Sequence, residues 1–310
     1  MIQADNLSIR DIVRQEVARL GPAADLNHID VSQVTDFYCL FSSLDWDGDI
    51  SRWDTSNATN MAAMFQGAGF TGDISKWNTA RVSNMSGMYA DSPFHGDISD
   101  WDVSQVTNMS SMFYYSAFES DISRWNTGNV QNMANMFENS MIQCDLSGWD
   151  VSNVTNMSGM FQSSAFNQDI SQWKLPSILN MNAMFEHSMF NGDISAWDIT
   201  TAQGMHYIFK DSAFEGDVTA WPLDNLLYCT QPWGDDAAKR PHRECLLTYI
   251  AILEEMKGFP SVDPRAARFQ TLRSLCDGLG LEGVSAARWL MQQMNGPEKW
   301  YTPEVQCDFS

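Results

Sequence analysis

Carboxylates are the most regular reactive groups in this chain. Aspartate stands at Asp49, Asp73, Asp97, Asp121, Asp145, Asp169, Asp193 and Asp217, evenly spaced. Rows of carboxylate oxygens are the usual material of a calcium site, and the run Asp45-Trp46-Asp47-Gly48-Asp49 resembles part of a calcium loop. It lacks the ligand spacing and the distal glutamate of a helix-loop-helix site. Calcium is therefore the minor expectation and no cofactor the main one. The better reading gives each aspartate a turn, where its side chain accepts a backbone N–H and offsets repulsion along the row. Asn60, Asn84, Asn108, Asn132, Asn156 and Asn180 form a second row, expected to be an internal hydrogen-bond ladder.

The other reactive side chains form no catalytic arrangement. Cys39, Cys144, Cys229, Cys245, Cys276 and Cys307 have no CxxC pair and no histidine cluster near them, so they read as reduced and structural. Methionines also recur, but no histidine or cysteine recurs beside them, which favours packing over metal binding. His242 lacks the partners of a Ser/His/Asp or Cys/His site. No phosphate-binding loop, dinucleotide fingerprint, zinc-protease motif or kinase signature is present. The expectation is a protein without catalytic residues.

The rows exist because the chain repeats. Tryptophan recurs at Trp53, Trp77, Trp101, Trp125, Trp149, Trp173, Trp197 and Trp221, 24 residues apart with no insertion. One unit reads GDISKWNTARVSNMSGMYADSPFH. Asp25 opens a degenerate first unit, with Ile29 in the tryptophan place and Phe37 in the first methionine place. Within each unit, Ile-x-x-Trp-x-Val/Thr predicts a strand with alternate residues buried. Val-Thr-Asn-Met-x-x-Met-Phe, as in Val106, Met109, Met112 and Phe113, predicts a short helical stripe. Thr59, Ser83, Thr107 and Thr155 stand where N-caps would, and Phe118, Ile142 and Phe166 close the turn. One unit cannot bury its own apolar edge, so the units must stack, with strands about 4.8 Å apart.

WDVSQVTNMSSMF at Trp101–Phe113 and WDVSNVTNMSGMF at Trp149–Phe161 resemble the BspA-type leucine-rich-repeat family, whose units read like DIS-x-WD-V-S-x-V-T-N-M-x-x-MF. The resemblance covers about residues 25–225. It implies an α/β solenoid, a curved leucine-rich-repeat-like stack of about eight strand–turn–short-helix units with one parallel sheet. It also implies kinship with bacterial or protist surface and binding proteins, and it carries no catalytic residues.

Charge narrows the partner. The chain has a net charge of −21, which excludes a general nucleic-acid binder and favours a protein partner with a basic face. Residues 25–229 hold 6 basic and 25 acidic side chains, whereas 230–310 hold 9 and 11, so the repeats carry the excess. No apolar run reaches about 18 residues, and the N-terminal stretch lacks the apolar core of a secretory leader. The expectation is no membrane insertion, and a cytoplasmic protein or one delivered by a non-classical route. Three regions follow. Residues 1–24 form a capping helix with Ile9, Ile12, Val13, Val17 and Leu20 on one face, ended by Gly21-Pro22. Residues 25–229 are the repeats. Residues 230–310 form a C-terminal helical cap or small domain, with helices near 241–257, 264–278 and 283–295.

If tryptophan points inward, its neighbours face out, and binding information lies where units differ. Beside the tryptophans those residues are Arg52, Lys76, Asp100, Arg124, Gln172 and Lys174; before the second half of a unit, Arg81. Tyr114 and Tyr115 add paired aromatics where most units are small or polar. The expected function is a non-catalytic protein-binding scaffold. The alternatives are a phage-encoded or secreted effector that blocks a host factor by acidic mimicry, and a structural or virion component.

Overall fold

The computed structural model describes residues 1–218 together with Trp221, Pro222 and Leu226. The three helices expected between 241 and 295 lie outside the described residues. Consecutive units lie side by side in parallel. Asp36 bridges to Asn60, Asn60 to Asn84, and so on to Asn180 and Gly204, each partner one unit away. The side chains common to the units fill one continuous core, in which Trp101, Met109, Met112, Phe113 and Phe118 are all buried.

The local structure of the units differs from the expected strand and helix. At Ile-x-x-Trp the chain makes a tight turn, in which the Trp101 N–H donates to the Ile98 carbonyl at 3.1 Å. The methionine segment is a chain of such turns and not a helix. Two residues in each unit, four apart, take left-handed backbone: Ala63 and Gly67, Gly87 and Asp91, Ser111 and Tyr115. The reason lies in the N–H groups. Met109, Ser111, Phe113 and Tyr115 donate to carbonyls of the next unit at 2.8–3.0 Å, while Met112, Tyr114 and Ser116 close turns within their own. A helix would keep all of these bonds inside the segment; here alternate N–H groups join the units. The helical spacing of Met109, Met112 and Phe113 still serves burial.

Thr59, Ser83, Thr107 and Thr155 are not N-caps. Their hydroxyls donate to the carbonyls of Thr35, Thr59, Ser83 and Gln131 in the preceding unit at 3.1–3.2 Å. The tryptophans make a second ladder. Each indole N–H, from Trp53 to Trp221, donates to a carbonyl of the preceding unit at 2.9–3.2 Å. A large ring is thereby buried without leaving its polar atom unpaired. Aromatic stacks run through the core: Phe113 lies 5.9 Å from Tyr89, 5.8 Å from Phe137 and 4.2 Å from Phe118.

The N-terminal residues complete the first unit. Strand β1 (Ile2–Gln3) pairs in parallel with β2 (Ile29–Asp30), and helix α1 (Ile9–Leu20) follows β1. Ile9 and Val13 are buried and Ile12 and Val17 pack against the core, but Leu20 is exposed. Thr59 and Asn60 donate to Thr35, and Thr35 and Asp36 in turn donate to the Asn6 side-chain carbonyl at 2.8 and 3.1 Å. Arg10 donates to the Tyr38 carbonyl, a position that in later units accepts from the unit before. Asn6 and Arg10 thus stand in for a preceding unit. No helix among the described residues is long and apolar enough to cross a membrane.

Candidate partner-binding surfaces

The carboxylate row is used up in turns. Oδ1 of Asp49, Asp73, Asp97, Asp121, Asp169 and Asp193 accepts the N–H of the serine two residues on, at 2.8–3.0 Å. Those backbone bonds hold the carboxyls below their usual range. The asparagines do likewise: Oδ1 of Asn108 accepts the Ser110 N–H at 3.0 Å. Among the described residues no three His, Cys, Asp or Glu side chains are grouped to hold a metal.

Five of the expected partner-binding residues share one row. Arg52, Lys76, Asp100, Arg124 and Gln172 all stand exposed immediately before buried tryptophans. Arg52 lies 3.7 Å from Asp25, and Arg124 lies 3.3 Å from Asp100. Both pairs are open to water, where such contacts contribute little and leave the side chains free to engage a partner. Lys76 helps lower the Asp73 and Asp97 carboxyls. Gln172 donates to the Ser171 hydroxyl at 3.2 Å, and Lys174 stands exposed on the other side of Trp173.

The rest lie elsewhere. Arg81 donates to Asn57 at 2.6 Å and helps line a shallow groove of about 570 Å³ with Thr35, Thr59, Ser83 and Gln105. Tyr114 and Tyr115 belong to the turn chain, their rings 4.7 Å apart and tilted by 57°. Tyr115 is exposed and holds left-handed backbone at φ 52°, which bulky side chains rarely adopt. Tyr114 is half-buried, and burial, then Glu138, raise its phenol.

Two features escaped the sequence reading. The first is a polar knot at Glu186, which is buried and accepts from Lys210 at 3.0 Å and Gln162 at 2.9 Å. Burial, then the Glu186 charge, raises the nearby Glu138 carboxyl. The second is a row of apolar residues, Met141, Ala165, Met189 and Ala213, of which Ala165 is half-buried and the other three are exposed. The signal was present as a methionine/alanine alternation at the repeat spacing, hidden by the many buried methionines.

No curated protein and no solved structure matches the chain. A family model described as a Mycoplasma protein of unknown function, DUF285, matches it in four overlapping stretches, 14–116, 69–142, 90–188 and 139–233. Overlapping matches of this kind are what tandem units produce, and together they run the length of the stacked units. The chain belongs to the DUF285 repeat family.

Proposed function

We propose that the stacked units form a leucine-rich-repeat-like solenoid of the BspA type, and that it is a non-catalytic scaffold binding a protein with a basic face. One observation carries this reading. The side chains that recur between units are buried or closed into turns, while the 25–229 segment sets 25 acidic against 6 basic side chains, many of them exposed. An acidic exterior on a rigid core favours a basic partner over a nucleic acid or an anionic membrane.

The test is affinity capture from the native cell with the full chain as bait, repeated across salt concentrations. Retention of the specific partner is expected to fall steeply as salt rises, because exposed charges are screened. Salt-insensitive capture contradicts a basic face. Replacing Arg52, Lys76 and Arg124 together by Ala separates the surfaces. Lost capture puts the contact on the row beside the tryptophans, and undiminished capture removes that row from the interface.

A further inference from the structure

We infer that the row Met141–Ala165–Met189–Ala213 is the docking surface for a basic amphipathic helix of the partner; this deepens the scaffold reading and rests on it. The row is continuous. The Ala165 N–H donates to the Ser140 carbonyl at 3.3 Å, Met189 to Ser164 at 3.1 Å and Ala213 to Ser188 at 2.9 Å. Each residue is therefore tied to the serine that precedes its neighbour, and the four side chains stand side by side. Ser140, Ser164 and Ser188 are buried, so the row is backed by the core.

Packing does not explain these two methionines. The methionines that recur in phase, such as Met133, Met136, Met181 and Met184, are 0% exposed, whereas Met141 is 58% and Met189 61% exposed. Exposed methionine is a flexible apolar contact that adapts to a partner's side chains. Its alternation with alanine makes a ridge with notches. Hydrogen-bonded neighbours lie about 4.8 Å apart, so the notches at Ala165 and Ala213 are about 10 Å apart. Seven residues of helix rise about 10.5 Å. Apolar side chains at i and i+7 of a helix laid along the row would seat in the two notches, with Met189 between i+3 and i+4.

Charge selects the helix. Exposed Glu119 lies towards one end of the row, and exposed Asp211 and Glu215 at the other. Lysine or arginine flanking the apolar stripe of the partner meets them favourably. A second copy would bring a net −21 against −21, which disfavours self-association here.

The test uses the full chain and a labelled leucine/lysine peptide of about 18 residues, five helical turns, with leucines at i, i+3, i+4 and i+7. A scrambled peptide of the same composition is the control. Fluorescence anisotropy is expected to show the helical peptide binding about tenfold tighter than the scramble, and Met141→Ser/Met189→Ser to abolish that difference. Equal binding of the two peptides, or no loss in the double variant, overturns the ridge and leaves the basic-partner reading standing. Failure of both peptides to bind counts against both readings. A photo-crosslinker replacing Met189 gives a second readout. An adduct with the peptide supports the ridge as a partner site; an adduct with the chain's own residues or a second copy overturns it.

Discussion

The two sides of each unit are joined to their neighbours by different means. On the aspartate–tryptophan side the ties are side chains. The Trp125 indole reaches the Ile98 carbonyl of the unit before, and the Thr127 hydroxyl reaches the Asp150 carbonyl of the unit after. On the methionine–phenylalanine side the ties are mainly backbone amides, as in Met109 to Asn132 and Phe113 to Met136, with serine hydroxyls such as Ser116 to Ser92 beside them. The difference explains which residues are free to vary. A tie made by an indole needs tryptophan in every unit. A tie made by an amide needs only the backbone shape, so Ser111, Asn135, Gly159, Ala183 and Tyr207 can occupy equivalent left-handed positions. Tyr115, Met141, His187 and Met189 all sit on this backbone-tied side.

The largest break in that contrast comes from the tryptophan side. Trp125→Ala empties a fully used core site and is expected to cost about 4 kcal/mol in urea unfolding. Trp125→Phe keeps most of the ring but takes one of two donors from the Ile98 carbonyl, which still accepts the Trp101 N–H, and should cost about 1 kcal/mol. On the amide-tied side, penalties are conformational. Gly87→Ala places its new Cβ in ordinary contact with the Ala63 Cβ, at 3.9 Å, and should lose about 1 kcal/mol from left-handed strain at φ 62°. Gly159→Ala should lose more, because its new Cβ would stand 2.2 Å from Asn135 Oδ1 and must displace that amide.

A smaller effect has the opposite sign. Tyr89 replaces the phenylalanine of other units, and its buried hydroxyl has no hydrogen-bond partner. Tyr89→Phe should stabilise the chain by about 1 kcal/mol, read as a raised urea midpoint. The smallest effect is in pH. The raised Glu138 carboxyl weakens the fold where it is ionised and not where it is protonated. Glu138→Gln should therefore raise the thermal midpoint at neutral pH and leave it unchanged in acid. The aspartate row acts the other way. Its lowered carboxyls contribute stability above the ordinary aspartate range, near pH 4, which is lost as pH falls through their folded values.

The sequence made the packing legible and the backbone less so. The spacing of Trp53 to Trp221 fixed the unit, and the apolar pattern picked out Met109, Met112 and Phe113 as core. Asp49 and its counterparts announced turns because a short carboxylate favours bonding its own chain. The turn chain was hidden, since i, i+3, i+4 burial is common to a helix and to successive tight turns. Its signal was the recurrence of Gly, Asn, Asp, Ser and Ala at the Gly87 and Asp91 positions, residues that mostly tolerate left-handed backbone. Of the outward residues, Arg52 and Arg124 were readable from their tryptophan neighbours. Met141 and Met189 were not, because exposure does not show in a residue type that fills the core elsewhere.

Hydrogen exchange of the tryptophan indoles tests the stacking most directly. Nine indole N–H groups, those of Trp46, Trp53, Trp77, Trp101, Trp125, Trp149, Trp173, Trp197 and Trp221, are bonded to backbone carbonyls across the array. Their resonances should exchange slowly and become labile together when Trp125→Ala interrupts the array. Indoles that exchange at the rate of free tryptophan in the intact chain would contradict the stacked units, and with them the binding surfaces built on their outer rows.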